Sequence, residues 1–156
     1  EMINRVISHV SDRVNWQASM KDIGAIEEVE IEGFGSMDAR VDTGNEGYNV
    51  LHATDIDVGD GEVNFTTEEG VDMSLPIEGT VTINVGSGIR EERPVISATM
   101  KIGKKKYKNV KFSLSDRNGN DYPVLIGMRF LRDHNFRVDV SAKNILEALD
   151  MYREYK

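Results

Sequence analysis

The sequence predicts a mainly β domain, closed into a barrel or stacked as a sandwich, with one helix at its C-terminal end. Three observations predict this class. Many short segments alternate apolar and polar residues, as half-buried strands do. Turns rich in Gly, Asp and Asn separate these segments. The last segment, residues 143–156, instead places Ile145, Leu149 and Tyr152 on one face of a helix.

The composition is that of one ordinary globular domain. The chain has 156 residues, of which 39% are hydrophobic and 29% are charged, enough to bury a core. Its 19 basic and 27 acidic residues give a net charge of −8, so we expect neither nucleic acid nor membrane as a partner. There is no cysteine, which excludes disulfides and thiol catalysis. Together with the lack of a secretory or membrane-spanning pattern, this favours a cytoplasmic protein.

Residues 1–22 are expected to form an N-terminal extension. Val6, Val10 and Val14 fall on one helical face within it. The extension is therefore either a short helix or a tail that packs weakly on the body.

A hairpin follows the extension and leads to a polar loop. Residues 23–31 alternate, the chain turns at Gly33-Phe34-Gly35, and residues 36–41 return as a second strand. Asp42-Thr43-Gly44 comes next. By itself this tripeptide is typical of an ordinary turn. It would equally hold a carboxylate on a rigid element, as the activation of water requires.

The remaining pattern predicts further strands and turns. We expect a short strand at 122–127, one or two helical turns at 128–134 and another strand at 136–141. The basic run Lys104-Lys105-Lys106 with Lys108 indicates a solvated hairpin turn, and residues 55–62 and 116–121 are also expected to be turns. The other expected strands cover 62–67, 71–77, 80–85, 93–102 and 108–115.

Several stretches, in this order, resemble one protease family. They read "ARVDTG", "LHATDI", "GEVNFTT", "REERPVI", "LSDRNGNDYPVLIGMRFL" and "FRVDVS". The succession of hairpin, Asp-Thr-Gly, glycine-tipped hairpin, second hairpin and apolar strand is similar to that of retropepsin-like aspartic proteases. More narrowly, it resembles the RimB-type bacterial group labelled ATP-dependent zinc proteases. The resemblance covers most of the chain and implies a retropepsin-like domain at 23–142, with one barrel-shaped lobe per chain.

The resemblance also implies roles for particular residues. Asp42 would be the catalytic residue of an aspartic endopeptidase, with Thr43, Gly44 and Asn45 in its active-site loop. The flap over a bound peptide would carry Val85, Gly86, Ser87 and Gly88, and the supporting strand would carry Leu125, Ile126 and Gly127. The family mechanism requires no cofactor and no metal.

One feature of the sequence constrains the assembly of such an enzyme. Aspartic proteases use two carboxylates that share a proton. The chain contains no second Asp-Thr-Gly and no Asp-Ser-Gly. An active enzyme is therefore expected to be a homodimer in which each copy contributes Asp42.

Two alternatives stay open at this point. Asn45 replaces the Ala or Ser usual in the family, and the loop from Glu46 to Asn49 is longer, so a non-catalytic dimeric peptide-binding module is the second interpretation. A metallopeptidase is the third. The histidines present are His9, His52 and His134, and they form no His-Glu-x-x-His pair. A metal site would then need His52 and His134 to meet in space with a carboxylate. No phosphate-binding loop supports the use of ATP.

Overall fold

A closed six-stranded barrel forms the body of the protein. The computed structural model describes residues 2–18 and 20–154. In chain order the elements are α1 (Met2–Ala18), β1 (Lys21–Ile31), β2 (Gly35–Val41), β3 (Asn49–His52), β4 (Thr54–Val58), β5 (Glu62–Thr66), β6 (Asp72–Pro76), β7 (Gly79–Asn84), β8 (Arg90–Ile102), β9 (Lys105–Ser115), β10 (Val124–Ile126), α2 (Met128–Asp133), β11 (Phe136–Lys143) and α3 (Ile145–Glu154).

The barrel closes through an antiparallel pair between distant parts of the chain. Around it the strand order is β1, β2, β10, β3, β9 and β8. β8 returns to β1 by pairing Met100 with Ile31 and Ile102 with Val29. β7 and β11 extend the sheet as outer strands, and β4, β5 and β6 form a separate small sheet. The predicted mainly β class, the retropepsin-like barrel and the C-terminal helix are thus confirmed.

The alternating side chains of the first hairpin supply part of the core. Val29 and Ile31 of β1 and Met37 and Ala39 of β2 are buried, as expected for strands with one face inside a barrel. The turn between them is the predicted one, and Phe34 at its end stacks on Phe65 of β5 with ring centroids 5.7 Å apart. This aromatic contact fastens the small sheet to the barrel.

A buried carboxylate ties α3 to the barrel. Glu27 of β1 is 2% exposed. It accepts hydrogen bonds from the backbone N–H groups of Gly24, Ile145 and Leu146. Burial raises the pKa of Glu27, and the three N–H groups partly offset that rise. The side chain therefore caps the first turn of α3 from another element.

The structure corrects several boundaries. Residues 55–62 are not one turn, because β4 runs to Val58 and only the following glycine-containing stretch turns. The strand β3 was not predicted. α3 begins at Ile145, later than the predicted residue 143, because β11 extends to Lys143 and pairs it with Ile26 of β1. β1 likewise begins at Lys21, inside the predicted extension.

The extension is helical and lies on the surface. α1 spans most of it, and every described side chain of this helix, from residue 2 to 11, is exposed. No helix in the described part of the chain is long and apolar enough to cross a membrane.

Candidate active site

Asp42 stands in a tight turn at the end of β2. Its backbone N–H donates to the carbonyl of Ile126 in β10 over 2.8 Å, and its own carbonyl accepts from the N–H of Asn45 over 3.1 Å. The carboxylate atom Oδ1 accepts the N–H of Gly44 over 3.0 Å. A Cβ atom on Gly44 would lie 3.3 Å from that oxygen, so glycine fits the close approach. These three hydrogen bonds hold the turn, and Asp42 is half-buried.

Asn45 turns its side chain onto its own loop. Its Nδ2 donates to the carbonyl of Tyr48 over 2.9 Å, and its Oδ1 accepts the N–H of Gly47 over 2.9 Å. Its backbone carbonyl accepts the N–H of Met128 at the start of α2. The asparagine is therefore a brace for the longer loop, and its side-chain polar groups are already occupied there.

Gly127 is held beneath this loop between the end of β10 and α2. Its N–H donates to Oδ1 of Asn49, a buried side chain, over 2.8 Å. A Cβ atom at Gly127 would lie only 2.9 Å from the carbonyl oxygen of Gly47. Leu125 and Ile126 pair with Arg40 and Val41 of β2 in parallel. The strand expected to support Asp42 thus lies directly beside β2, and Gly127 follows its end.

A cavity opens beside Asp42. Its volume is about 410 Å³, and its polar wall includes Arg40 and Arg117. Asp42 attracts the Arg117 guanidinium, whereas burial and the neighbouring Arg93 lower the pKa of Arg117. The other lining residues are Gly119, Asn120, Asp121, Tyr122 and Leu125.

Arg117 also fixes the loop that forms this wall. Its Nε donates to the carbonyl of Tyr122 over 2.8 Å, and its backbone N–H donates to Nδ1 of His52 over 2.8 Å. The predicted turn at 116–121 is present, with the N–H of Asn120 bonded to the carbonyl of Arg117. Within this turn the Asp116 carboxylate accepts the N–H of Asn118. Arg117 was not identified from the sequence as a site residue, because nothing in the local sequence indicates that it reaches the Asp42 cavity.

The expected flap residues form the tip of the β7–β8 hairpin. Gly86 and Gly88 have positive φ angles of 102° and 76°, which glycine adopts without strain. Ser87 between them lies in the left-handed region with a φ angle of 51°. Val85 donates its N–H to the carbonyl of Ile89 across the tip. Both of these apolar side chains are exposed. In the single chain the hairpin tip therefore projects freely.

The histidines lie in separate surroundings. Nε2 of His52 is 3.3 Å from a carboxylate oxygen of Glu68. His134 packs edge-on against Tyr107, with ring centroids 4.6 Å apart. His9 lies on α1. Across residues 2–18 and 20–154, no group of three or more His, Asp or Glu side chains is arranged to hold a metal ion.

The barrel, the Asp-Thr-Gly turn and the glycine-tipped hairpin together define a retropepsin-like acid-protease fold. The family model "Retropepsin-like aspartic endopeptidase RimB" matches residues 23–148, and the chain belongs to this RimB-like family. The chain is also similar to the crystal structure of Lpg0085, a protein of unknown function (DUF785) from Legionella pneumophila. The TM-score is 0.66 and the sequence identity 25%, over 80% of this chain and 97% of the other. No functionally curated protein matches the sequence significantly.

Proposed function

We propose that the protein is an aspartic endopeptidase, active as a homodimer. The observation that carries the proposal is the position of Asp42, half-buried in a hydrogen-bonded turn at the edge of a cavity. A general base must be held rigidly within reach of water and substrate. Membership of the RimB-like family supports the same reaction.

The second carboxylate would come from a second copy. One polarises the peptide carbonyl while the other takes a proton from water, and one chain provides a single Asp-Thr-Gly. A two-fold axis near the turn would bring the two Asp42 side chains together. Thr43 is exposed in the single chain, so its hydroxyl is accessible for a hydrogen bond to the partner copy.

The β7–β8 hairpin would act as the flap. An extended peptide between the barrel and the hairpin can form backbone hydrogen bonds to strand edges and place its side chains in pockets. Val85 and Ile89 at the tip are exposed and would lose contact with water when the tip closes on a peptide. Leu125 and Ile126 would hold the catalytic turn from the side opposite the substrate.

One observation weighs against each alternative. The peptide-binding module was suggested by Asn45, yet the polar groups of that side chain bond to Gly47 and Tyr48 of its own loop. A metallopeptidase needs a ligand cluster, and none is found among the described residues. Neither alternative has an observation that favours it over the aspartic mechanism.

The test is cleavage of a mixed peptide library between about pH 4 and 7, the range in which a shared-proton pair can work. Wild type, Asp42→Asn and a chelator-treated wild type are compared, with products identified by mass spectrometry. We expect cleavage by wild type with or without chelator and none by Asp42→Asn. Equal cleavage by the variant would refute the aspartic mechanism, and loss with chelator alone would indicate a metal enzyme. A wild type that binds library peptides but cleaves none would indicate the binding module.

A further inference from the structure

Helix α1 carries an apolar face that the rest of the chain leaves uncovered. Ile3, Ile7 and Val10 are 75%, 61% and 55% exposed, and Met2 and Val6 are exposed as well. All five project from the same side of the helix, because their spacing follows the helical repeat. The polar residues Asn4, Ser8 and Ser11 occupy the opposite side. A contiguous apolar face of this length marks an interaction surface.

α1 depends on such a contact for its stability. It has no acidic side chain in its first turn and no basic one in its last, so charges near its ends do not favour it. Most of the stability of a helix in a protein comes from packing of its apolar face. The helix is therefore expected to form fully only when that face is covered.

The spacing of the apolar residues indicates what covers them. Ile3, Ile7, Val10 and Val14 follow one another at intervals of four, three and four residues, the pattern of d and a positions in a coiled coil. Ile7 and Val14 then correspond to a positions and Ile3 and Val10 to d positions, so the apolar face matches that of a helix that packs against another helix. A helix that lies on a membrane surface usually has a polar face rich in Lys and Arg. Among residues 2–11, whose side chains are described, Arg5 is the one Lys or Arg residue.

We propose that α1 packs against α1 of a second copy of this chain, side by side about the dimer axis. The proposal rests on the proposed function, which requires two copies to bring two Asp42 residues together. The family match begins at residue 23, so α1 lies outside the part shared with the family and adds a second interface. Once the Asp42 turns have joined two chains, the helices meet at high effective concentration. A helix too short to pair alone can then tighten the dimer.

The first test compares a charge on each side of the helix. Ile7→Glu places a carboxylate in the proposed contact, and Ser8→Glu places the same group one residue away on the exposed polar side. Sedimentation of the full chain over a range of concentrations gives the dimer dissociation constant. We expect that constant to rise by about tenfold or more in Ile7→Glu and to stay near the wild-type value in Ser8→Glu. Equal constants for all three proteins would overturn the proposal.

A second test uses the absence of cysteine from the chain. Ile7→Cys should form a disulfide between two copies under mild oxidation, because the proposed contact brings these positions together, whereas Ser8→Cys should not. Equal cross-linking of both variants would contradict helix pairing.

Cleavage by the same variants distinguishes failure of the helix contact from failure of the proposed catalysis. If Ile7→Glu dimerises and cleaves as wild type does, the helix contact is wrong but the aspartic enzyme stands. If Ile7→Glu cleaves poorly when dilute and recovers at high concentration, both proposals are supported. If α1 variants change dimerisation but no protein cleaves peptide, only the proposed catalysis fails.

Discussion

Replacement of Gly127 by alanine tests whether the Asp42 loop and the start of α2 are locked together. A Cβ atom at Gly127 would lie 2.9 Å from the carbonyl oxygen of Gly47 and 3.1 Å from that of Asn45, whereas ordinary contacts begin at 3.4 Å. Both carbonyls belong to the backbone, and the side-chain Nδ2 of Asn45 also lies 3.1 Å from the added atom. The bond from the N–H of Met128 holds the Asn45 carbonyl in place, so rotation of the Asn45 side chain cannot relieve the overlap.

The size of the effect follows from this geometry. Extra atoms forced into a packed interior cost about 1–3 kcal/mol. For a domain of this size that loss corresponds to a Tm about 3–9 °C lower. The loop that must yield also carries Asp42. A displacement near 1 Å would lower the rate of peptide cleavage by about 100-fold.

The assay is urea unfolding followed by circular dichroism, with Gly59→Ala as the matched control. Gly59 has no positive φ angle, and the nearest atom to an added Cβ, the carbonyl oxygen of Glu62, is 3.9 Å away. The control should keep its stability or gain up to about 1 kcal/mol, because alanine restricts the unfolded chain. A Gly127→Ala protein as stable as the control would refute the reasoning.

Other substitutions test the surroundings of the site. Burial beside Tyr107 lowers the pKa of His134, so the folded state favours the neutral imidazole. The stability of the fold is therefore unaffected by this group above about pH 6.5 and decreases as the pH falls below that value. His134→Phe should lose less stability than wild type when the pH is lowered. If the urea midpoint falls by the same amount in both proteins between about pH 7.5 and 5.5, the effect is excluded. Glu27→Ala leaves three backbone N–H groups without their acceptor and should cost about 2–4 kcal/mol in thermal unfolding; an unchanged Tm would show that water replaces the carboxylate. Asn49→Ala should cost about 1–3 kcal/mol, because the N–H of Gly127 loses its partner at a buried position. Unchanged stability and cleavage would mean that Asn49 does not position the loop.

The sequence was sufficient wherever the information is local. The first hairpin, its turn at 33–35 and the placement of Asp42 after a strand follow from alternation and from glycine positions. The β7–β8 and β8–β9 hairpins are likewise formed by neighbouring segments. The fold class follows from these hairpins, and the resemblance added how they close into one barrel.

Contacts between distant segments could not be read in this way. The strand β3 is short and follows a polar loop, and it is extended because β9 and β10 pair with its two edges. Asp55 adopts a positive φ angle where β4 bulges, and no propensity rule anticipates a strand there. The hydrogen bonds of the Asn45 side chain to Tyr48 and Gly47 could not be read from the residue type alone. The approach of Arg117 to Asp42 depends on a loop far along the chain.

The central claim is that two Asp42 carboxylates from two chains form one catalytic unit. The most direct test mixes wild type with Asp42→Asn at fixed total concentration, after the two proteins have been unfolded and refolded together. If both carboxylates are required, cleavage follows the square of the wild-type fraction and falls to about a quarter of the full rate in an equal mixture. A fall to about half would mean that each Asp42 acts alone and would contradict the account.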